Sequence, residues 1–390
     1  GSSDTLRTCR TGCLMRIMFF GSYILDEAYP VNRVLLKGIR AAGLEVVECR
    51  VDLWKGFLHE MLGKGLVKKF IFLCRVFYLY PRLIWRYCRS ASSDVIVVGY
   101  PGYIDIILAR LLNVFSNRLL VLVSFISLYD TVIIDRGSFE PNSLRSRLLF
   151  ALDRLAFGSA DWVLVDTKQL ATYYADLFNL PQKRFRKSLV GNVFDGIECK
   201  RVQTPSNVFR VLYFGTYVPL HGVHYIVDAA IELRNRPVEF ILIGNGQEFS
   251  EVRSKTQASG LDNVTFFNNW HNVKQLAEAM ANADVCLGIF GTTPKASRVI
   301  PYKIFGALSL GRPVITRDSP AIRELLVDGE SALLCTPGSG GALTQCIERF
   351  RNDSELCNRI GEQGKKCYER GASNEAIGRT FVSKLAGINV

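Results

Sequence analysis

Short, uniformly apolar segments alternate with longer amphipathic segments along almost the whole chain. Two of the short segments, Val95-Ile96-Val97-Val98 and Phe240-Ile241-Leu242-Ile243, have no polar face, which is typical of strands buried within a parallel sheet. In the longer segments, such as 223–231, apolar residues recur three and four positions apart. The pattern therefore predicts strands and helices in alternation.

The alternation divides the chain into two halves with six predicted strands each. These strands are Arg16–Phe20, Glu45–Arg50, Asp94–Gly99, Leu119–Phe125, Trp162–Asp166 and Arg186–Val190, then Phe209–Phe214, Glu239–Gly244, Val264–Phe267, Val285–Phe290, Pro313–Thr316 and Ala332–Cys335. We predict an α/β fold of two Rossmann-like, doubly wound domains, 14–195 and 208–373, that face a central cleft. A last helix within 374–390 is expected to pack back on the first domain.

Composition narrows the class of protein. Of the 390 residues, 48% are hydrophobic and 22% are charged, which excludes a disordered chain. The formal charge of +12 favours an anionic partner: phosphate, nucleic acid or an acidic membrane surface. No helix-turn-helix and no basic motif with interleaved aromatic residues is found, so we predict no nucleic-acid partner. The eleven cysteines form no CxxC pair, which argues against a metal site and favours the cytoplasm.

Glycine-rich turns follow two predicted strands of the second half. Gly215 and Gly222 flank a segment directly before a helix, where a bare backbone can approach a ligand and free N–H groups can face an anion. Gly244-Asn245-Gly246 follows the next strand. An ordinary turn explains the first segment equally well and explains the second segment better.

Three cations precede a helix of small residues later in the second half. Lys295, Arg298 and Lys303 lie between a predicted strand and that helix. Cations clustered before a helix N-terminus neutralise a diphosphate. A solvated basic loop is the alternative, and the pattern alone does not decide between the two.

Taken together, these segments resemble the nucleotide-sugar-binding domain of glycosyltransferase family 4, the retaining enzymes of GT-B fold. The resemblance rests on the 215–222 loop, the Gly244–Gly246 turn, Asp262-Asn263-Val264-Thr265-Phe266 with Trp270, Ala283-Asp284-Val285, the 307–315 segment, and Glu324 before Asp328-Gly329. Segments of the first half, among them 20–23, 99–102 and 127–131, resemble a bacterial branch of the family that makes cell-surface glycans.

The resemblance implies transfer of a sugar from a nucleotide-diphosphate sugar to a glycan or a polyprenyl-linked acceptor, with retention and with no metal or other cofactor. It implies catalytic roles for Asp130 on the acceptor side and for His221 and Lys303 on the donor phosphates. The implied donor-binding residues are Gly21, Gly215, Thr216, Gly222, Gly244, Trp270, Lys295, Arg298 and Gly306.

Several of these positions depart from the family pattern. Thr216 and His221 stand where the family often has an Arg and a Lys on the diphosphate. Arg298 and Gly306 stand where it has the two Glu residues of a Glu-x7-Glu pair. A His that is frequent after the fourth strand is absent, and Asp130 is the nearest polar candidate, whose alternative role is helix capping. The alternative function is therefore a degenerate relative that acts as a binding partner or scaffold.

The segment 57–89 combines apolar and aromatic residues with many Lys and Arg residues, and only basic charges occur from Leu62 to Ser93. This combination suits a helix that lies on an anionic membrane leaflet. A helix packed on the sheet, with Lys and Arg reaching outward at its rim, is the alternative. We predict contact of 57–89 with an anionic membrane surface, and so a peripheral location on the cytoplasmic face.

Overall fold

A computed structural model describes residues 15–26, 29–54, 66–192, 194, 197, 199, 207–268 and 272–387. The strands of the first domain are β1 (Arg16–Gly21), β2 (Glu45–Arg50), β3 (Val95–Val98), β4 (Leu119–Val123), β5 (Trp162–Val165) and β6 (Phe185–Lys187). Its helices are α1 (Val31–Ala41), α2 (Leu66–Arg89), α3 (Tyr103–Leu112), α4 (Leu144–Ser159) and α5 (Lys168–Phe178).

The second domain repeats the alternation. Its strands are β7 (Phe209–Phe214), β8 (Val238–Ile243), β9 (Val264–Phe267), β10 (Val285–Leu287), β11 (Val314–Arg317) and β12 (Leu333–Cys335). Its helices are α6 (Val223–Glu232), α7 (Phe249–Ala258), α8 (Val273–Asn282), α9 (Tyr302–Ser309), α10 (Gly340–Asn352) and α11 (Ser354–Gly371), and α12 (Asn374–Ala386) follows. All twelve predicted strands are present, with ends that differ by a few residues.

Each domain is a six-stranded parallel sheet with helices on both faces. The strand orders are β2-β1-β3-β4-β5-β6 and β12-β11-β10-β7-β8-β9. In both sheets the order in which successive strands are added reverses beside the first strand of the domain. Open α/β sheets bind ligands at this point, at the carboxyl ends of the strands. Central strands such as β3 and β4 are apolar on both sides because helices cover both sides of the sheet, and the predicted α/β fold is confirmed.

Opposite faces of the first sheet carry different helices. Side chains of α2, α3, α4 and α5 share one core cluster with Met18 and Phe20 of β1. Side chains of α1 and α12 share another cluster with Ile17 and Phe19. Helix α12 of the chain's C-terminal part thus packs on the first domain, against α1. In the described part of the chain, every helix is too short or too polar to cross a membrane.

The contact between α1 and α12 depends on two glycines. A Cβ placed on Gly378 would collide with the carbonyl oxygen of Gly38, and a Cβ placed on Gly38 would collide with the carbonyl oxygen of Asn374. The two helix backbones therefore approach more closely than any larger residue permits.

We expect Gly378→Ala to lower the free energy of unfolding by about 1–3 kcal/mol, because the added methyl group must push the two helices apart. Urea denaturation measures the loss. Gly371→Ala is the matched control, since a Cβ there meets nothing within 4 Å. An equal loss in both variants would contradict the assigned contact.

Candidate active site

Two glycine turns meet at the carboxyl ends of β7 and β8. Gly215 and Gly244 have φ values of +146° and +132°, which L side chains rarely adopt. A Cβ on Gly244 would collide with the carbonyl oxygen of Gly215, and a Cβ on Gly215 would lie 2.7 Å from Lys303 Nζ. The turn after β7 ends at Gly222 (φ +61°), which caps α6. The structure therefore brings the predicted residues Gly215, Gly222, Gly244 and Lys303 into one region.

A buried ammonium group lies beneath these turns. Lys303 is 5% exposed, and its Nζ lies 3.9 Å from the ring centre of Tyr213. Among the described residues, Nζ has no hydrogen-bond partner. Burial holds the pKa of Lys303 well below its usual range. An unpartnered buried cation of this kind is stabilised by an anion that enters the site.

Neutral polar groups surround this ammonium. The Tyr213 hydroxyl donates to the carbonyl oxygen of Thr216 (3.1 Å) and lies 2.9 Å from His221 Nδ1. His221 Nδ1 also contacts the Thr216 carbonyl oxygen. Burial, and then the charge of Lys303, hold the pKa of His221 well below its usual range. His221 is therefore a neutral imidazole beside Lys303, and it contributes no positive charge in this state.

On the first domain, the turn that contains Gly21 is fixed by a buried carboxylate. Asp105 accepts hydrogen bonds from the backbone N–H and the hydroxyl of Ser22 and from the hydroxyl of Tyr80, all at 2.8 Å. A Cβ on Gly21 would lie 2.7 Å from Asp105 Oδ2. Burial raises the pKa of Asp105. Sequence reasoning missed Asp105, although a single carboxylate within the apolar α3 was a usable signal.

Asp130, Lys295 and Arg298 form one ion cluster between the domains. Asp130 has no solvent exposure, and its two oxygens lie 3.1 Å from Lys295 Nζ and 3.3 Å from Arg298 Nη2. Lys295 also donates to the hydroxyl of Thr131 (2.6 Å), and Arg298 stacks on the ring of Tyr173. A charged group removed from water is unstable without a partner of opposite charge, and here the carboxylate and the two cations are partners of one another.

This cluster contains three residues of the predicted site. Asp130 was expected to be open to an acceptor, and Lys295 and Arg298 to a diphosphate. In this structure each of the three residues is engaged by a residue of the opposite domain. Their predicted substrate contacts therefore require the cluster to open.

Further contacts between the domains surround this cluster. Glu324 accepts from the backbone N–H groups of Lys168 (2.9 Å) and Gln169 (3.2 Å), which begin α5, and pairs with Lys187 at 2.9 Å. Asp166 accepts from the backbone N–H of Ile300 at 3.2 Å, and burial raises its pKa to about 7. A carboxylate of one domain thus stabilises the N-terminus of a helix in the other.

Packed side chains surround the Cα atom of Gly306. A Cβ on Gly306 would lie 2.6 Å from Phe194 Cε2 and 3.0 Å from Met280 Cε. The Phe194 ring stacks on Tyr302, with ring centres 6.4 Å apart. Phe194 thus fills the space beside Gly306, and the donor contact of Gly306 stays a prediction. Trp270, the remaining predicted donor contact, lies outside the described residues.

Comparisons with known proteins agree with this arrangement. Residues 208–353 match the family model described as "Glycosyl transferases group 1". The solved structure of Anabaena HepE with UDP-glucose has a TM-score of 0.66 at 17% identity and covers 96% of this chain and 100% of that chain. Sucrose-phosphate synthase from Thermosynechococcus elongatus has a TM-score of 0.67 at 17% identity, with coverage of 96% and 98%. The chain therefore has the GT-B fold, and its residues 208–353 resemble a glycosyl transferase group 1 domain.

Curated relatives of this GT-B protein align over part of their length. Alpha-D-kanosaminyltransferase of Streptomyces kanamyceticus is 26% identical over 181 residues, which are 46% of this chain and 44% of that protein. The lipopolysaccharide core biosynthesis glycosyltransferase LpsE of Rhizobium meliloti is 22% identical over 231 residues, or 59% and 65%. The chain thus spans less than two thirds of these relatives. Membership in family 4 by number stays a prediction.

The described part of this GT-B protein contains no group of three His, Cys, Asp or Glu residues placed to hold a metal ion. The sequence-based expectation that the protein needs no metal and no other cofactor is not tested by this observation and stays a prediction.

We expect Asp130→Asn to lower the free energy of unfolding by about 3–5 kcal/mol, because it leaves Lys295 and Arg298 buried without a counter-charge. Urea denaturation measures the loss. Asp318→Asn is the control, since Asp318 forms an exposed ion pair with Arg323 and should lose far less. Similar losses in the two variants would show that the Asp130 cluster contributes nothing special.

Proposed function

We propose that the chain transfers a sugar from a nucleotide-diphosphate sugar to a glycan or lipid-linked acceptor, with retention, in the synthesis of a cell-surface polysaccharide or glycolipid. One observation carries the proposal. The ammonium of Lys303 is buried without a hydrogen-bond partner among the described residues, beside two glycine turns at the carboxyl ends of β7 and β8. A cation fixed in this way stabilises the negative charge that develops on a leaving diphosphate.

The relatives support a sugar nucleotide as the donor. The solved HepE structures hold UDP, UDP with glucose, or UDP-glucose. The curated relatives include a kanosaminyltransferase, a lipopolysaccharide core glycosyltransferase and an O-antigen chain mannosyltransferase. UDP is therefore the first nucleotide to test, beside GDP, ADP and dTDP.

In the proposed complex, the diphosphate lies against the 215–222 turn. Lys303 supplies a positive charge, and the N–H groups at Gly222 and Val223 begin α6, whose dipole favours an anion. His221, as a neutral imidazole, donates its Nδ1–H to the Thr216 carbonyl oxygen and so holds the turn against which the diphosphate lies. This arrangement stabilises the leaving group with protein groups alone and explains why we propose no metal.

We further propose that the acceptor is presented at a membrane, on its cytoplasmic face, beside the segment 57–89. In the described part of that segment, α2 exposes Phe70, Phe77 and Trp85 together with Arg82 and Arg86. Apolar and basic residues together favour an anionic leaflet, which would hold a polyprenyl-linked acceptor.

A scaffold that binds a nucleotide without turnover is the second candidate. Two observations favour it: Phe194 fills the space beside Gly306, and Asp130 engages Arg298. Nucleotide binding without hydrolysis or transfer from any of the matching sugar nucleotides would support the scaffold over the enzyme.

We expect Lys303→Met to weaken UDP binding about 10- to 100-fold, because a hydrogen bond to a charged group contributes about 1.5–3 kcal/mol. Calorimetric titration measures the affinity. Lys255→Met is the matched control, since Lys255 pairs with Asp228 at the surface of the same domain. Equal affinity of the Lys303→Met variant and the wild type would remove Lys303 from the phosphate site.

The lowered pKa of Lys303 predicts a pH dependence of binding. A bound diphosphate raises that pKa again, so binding takes up a proton and affinity falls as pH rises through the pKa of the free site. Titrations in two buffers of different ionisation enthalpy measure the uptake. It should disappear in Lys303→Met, and proton uptake that persists there would assign the titration to His221 or another group.

A further inference from the structure

The large hydrophobic side chains that are exposed to solvent concentrate on one part of the first domain. Of the eighteen in the described part of the chain, fifteen lie between Phe70 and Leu155. The other three, Val208, Phe267 and Val327, are scattered in the second domain. Isolated exposed apolar residues need no explanation, but a concentrated set marks an interaction surface.

Helices α2, α3 and α4 form one layer beneath these residues. Their inner residues, among them Leu83, Ile106 and Phe157, share one core cluster on the same face of the sheet. Hydrogen bonds join α2 to α3, and α3 packs along α4. We call the outward side of this layer the docking face.

On the docking face, α3 and α4 each carry a stripe of exposed apolar side chains. On α3 and just beyond it, Ile104, Leu111 and Phe115 follow helical spacing and are 52%, 66% and 99% exposed. On α4, Leu144 and Leu148 are 74% and 61% exposed. Surface helices normally turn such stripes inward, so a second surface is needed to cover these.

Among the side chains that the structure describes on helices α2, α3 and α4, every exposed charged one is basic. On α4 these charges are Arg145, Arg147 and Arg154, which are interleaved with the leucines. The two carboxylates of the three helices, Asp105 and Asp153, are buried. Apolar residues mixed with cations complement the surface of an anionic bilayer, whereas two copies of this face would oppose arginine to arginine.

We infer that the whole docking face, including α3 and α4, lies on an anionic bilayer. This inference rests on the membrane part of the proposed function and extends it beyond the segment 57–89.

The docking face adjoins the cleft. Helix α2 connects the carboxyl end of β2 to the amino end of β3, so its first turns lie at the cleft edge. The hydrogen bonds from Tyr80 to Asp105 and from Ser22 to Asp105 join the face to the turn that holds Gly21. A lipid-linked acceptor held in the bilayer would therefore be presented beside the proposed donor site.

Flotation of the full chain with vesicles tests this inference. Vesicles of phosphatidylcholine alone are compared with vesicles that also contain phosphatidylglycerol. We expect binding to the anionic vesicles, with a loss of about fivefold for each arginine removed in Arg147→Gln and Arg154→Gln. The double variant with Phe115→Glu and Leu148→Glu should also lose binding. The controls are Arg253→Gln and Val327→Glu in the second domain. Each changes an exposed residue, one arginine and one apolar side chain, and both variants should bind the anionic vesicles as the wild type does.

The outcomes separate this inference from the donor chemistry. Calorimetric UDP titration accompanies each variant and should give the wild-type affinity. A wild type that floats with anionic vesicles but binds no UDP would count against the proposed function and not against this inference. Vesicle binding that depends on Phe77→Glu or Trp85→Glu in α2 but not on the α3 and α4 variants would overturn the inference. Wild type that fails to float would also overturn it. A dimer in sedimentation velocity that the same variants dissociate would assign the face to a second copy.

Discussion

A carboxylate with no solvent contact, Asp130, holds the two domains together through cations of the opposite domain. Desolvation makes each of these charges costly alone, so the cluster is stable only while both domains contribute to it. Glu324 and Asp166 extend the same principle, because each accepts backbone hydrogen bonds from the domain opposite its own. The separation of the two domains across the cleft therefore depends on whether these buried charges stay paired.

The proposed donor site lies on the second domain and has a different electrostatic character. Lys303 has no hydrogen-bond partner among the described residues, and its neighbours Tyr213 and His221 are uncharged. A buried lysine without a counter-charge is protonated more readily when an anion enters, whereas the Asp130 cluster is already neutralised in part. This contrast favours Lys303 over Lys295 and Arg298 as the residue that meets the diphosphate.

Two substitutions relative to the family pattern are structurally compensated. The absence of a side chain at Gly306 is matched by Phe194, whose ring occupies the adjacent space and stacks on Tyr302. The cation at Arg298 is matched by Asp130 on the other domain. Volume at position 306 and charge at position 298 are therefore both compensated within the folded chain.

The amino-acid sequence was sufficient to predict the alternating strands, the two-domain α/β fold and the glycine turns, because periodicity and glycine placement are local properties of the chain. It also brought Lys303, His221 and Gly215 into one predicted site. The folded structure was needed to show that Asp130 pairs with Lys295 and Arg298, more than 160 residues away. It also decided that the apolar stripes of α3 and α4 face outward. Ion pairing and solvent exposure depend on which surfaces meet after folding, and the local spacing of residues along the chain carries no information about those contacts.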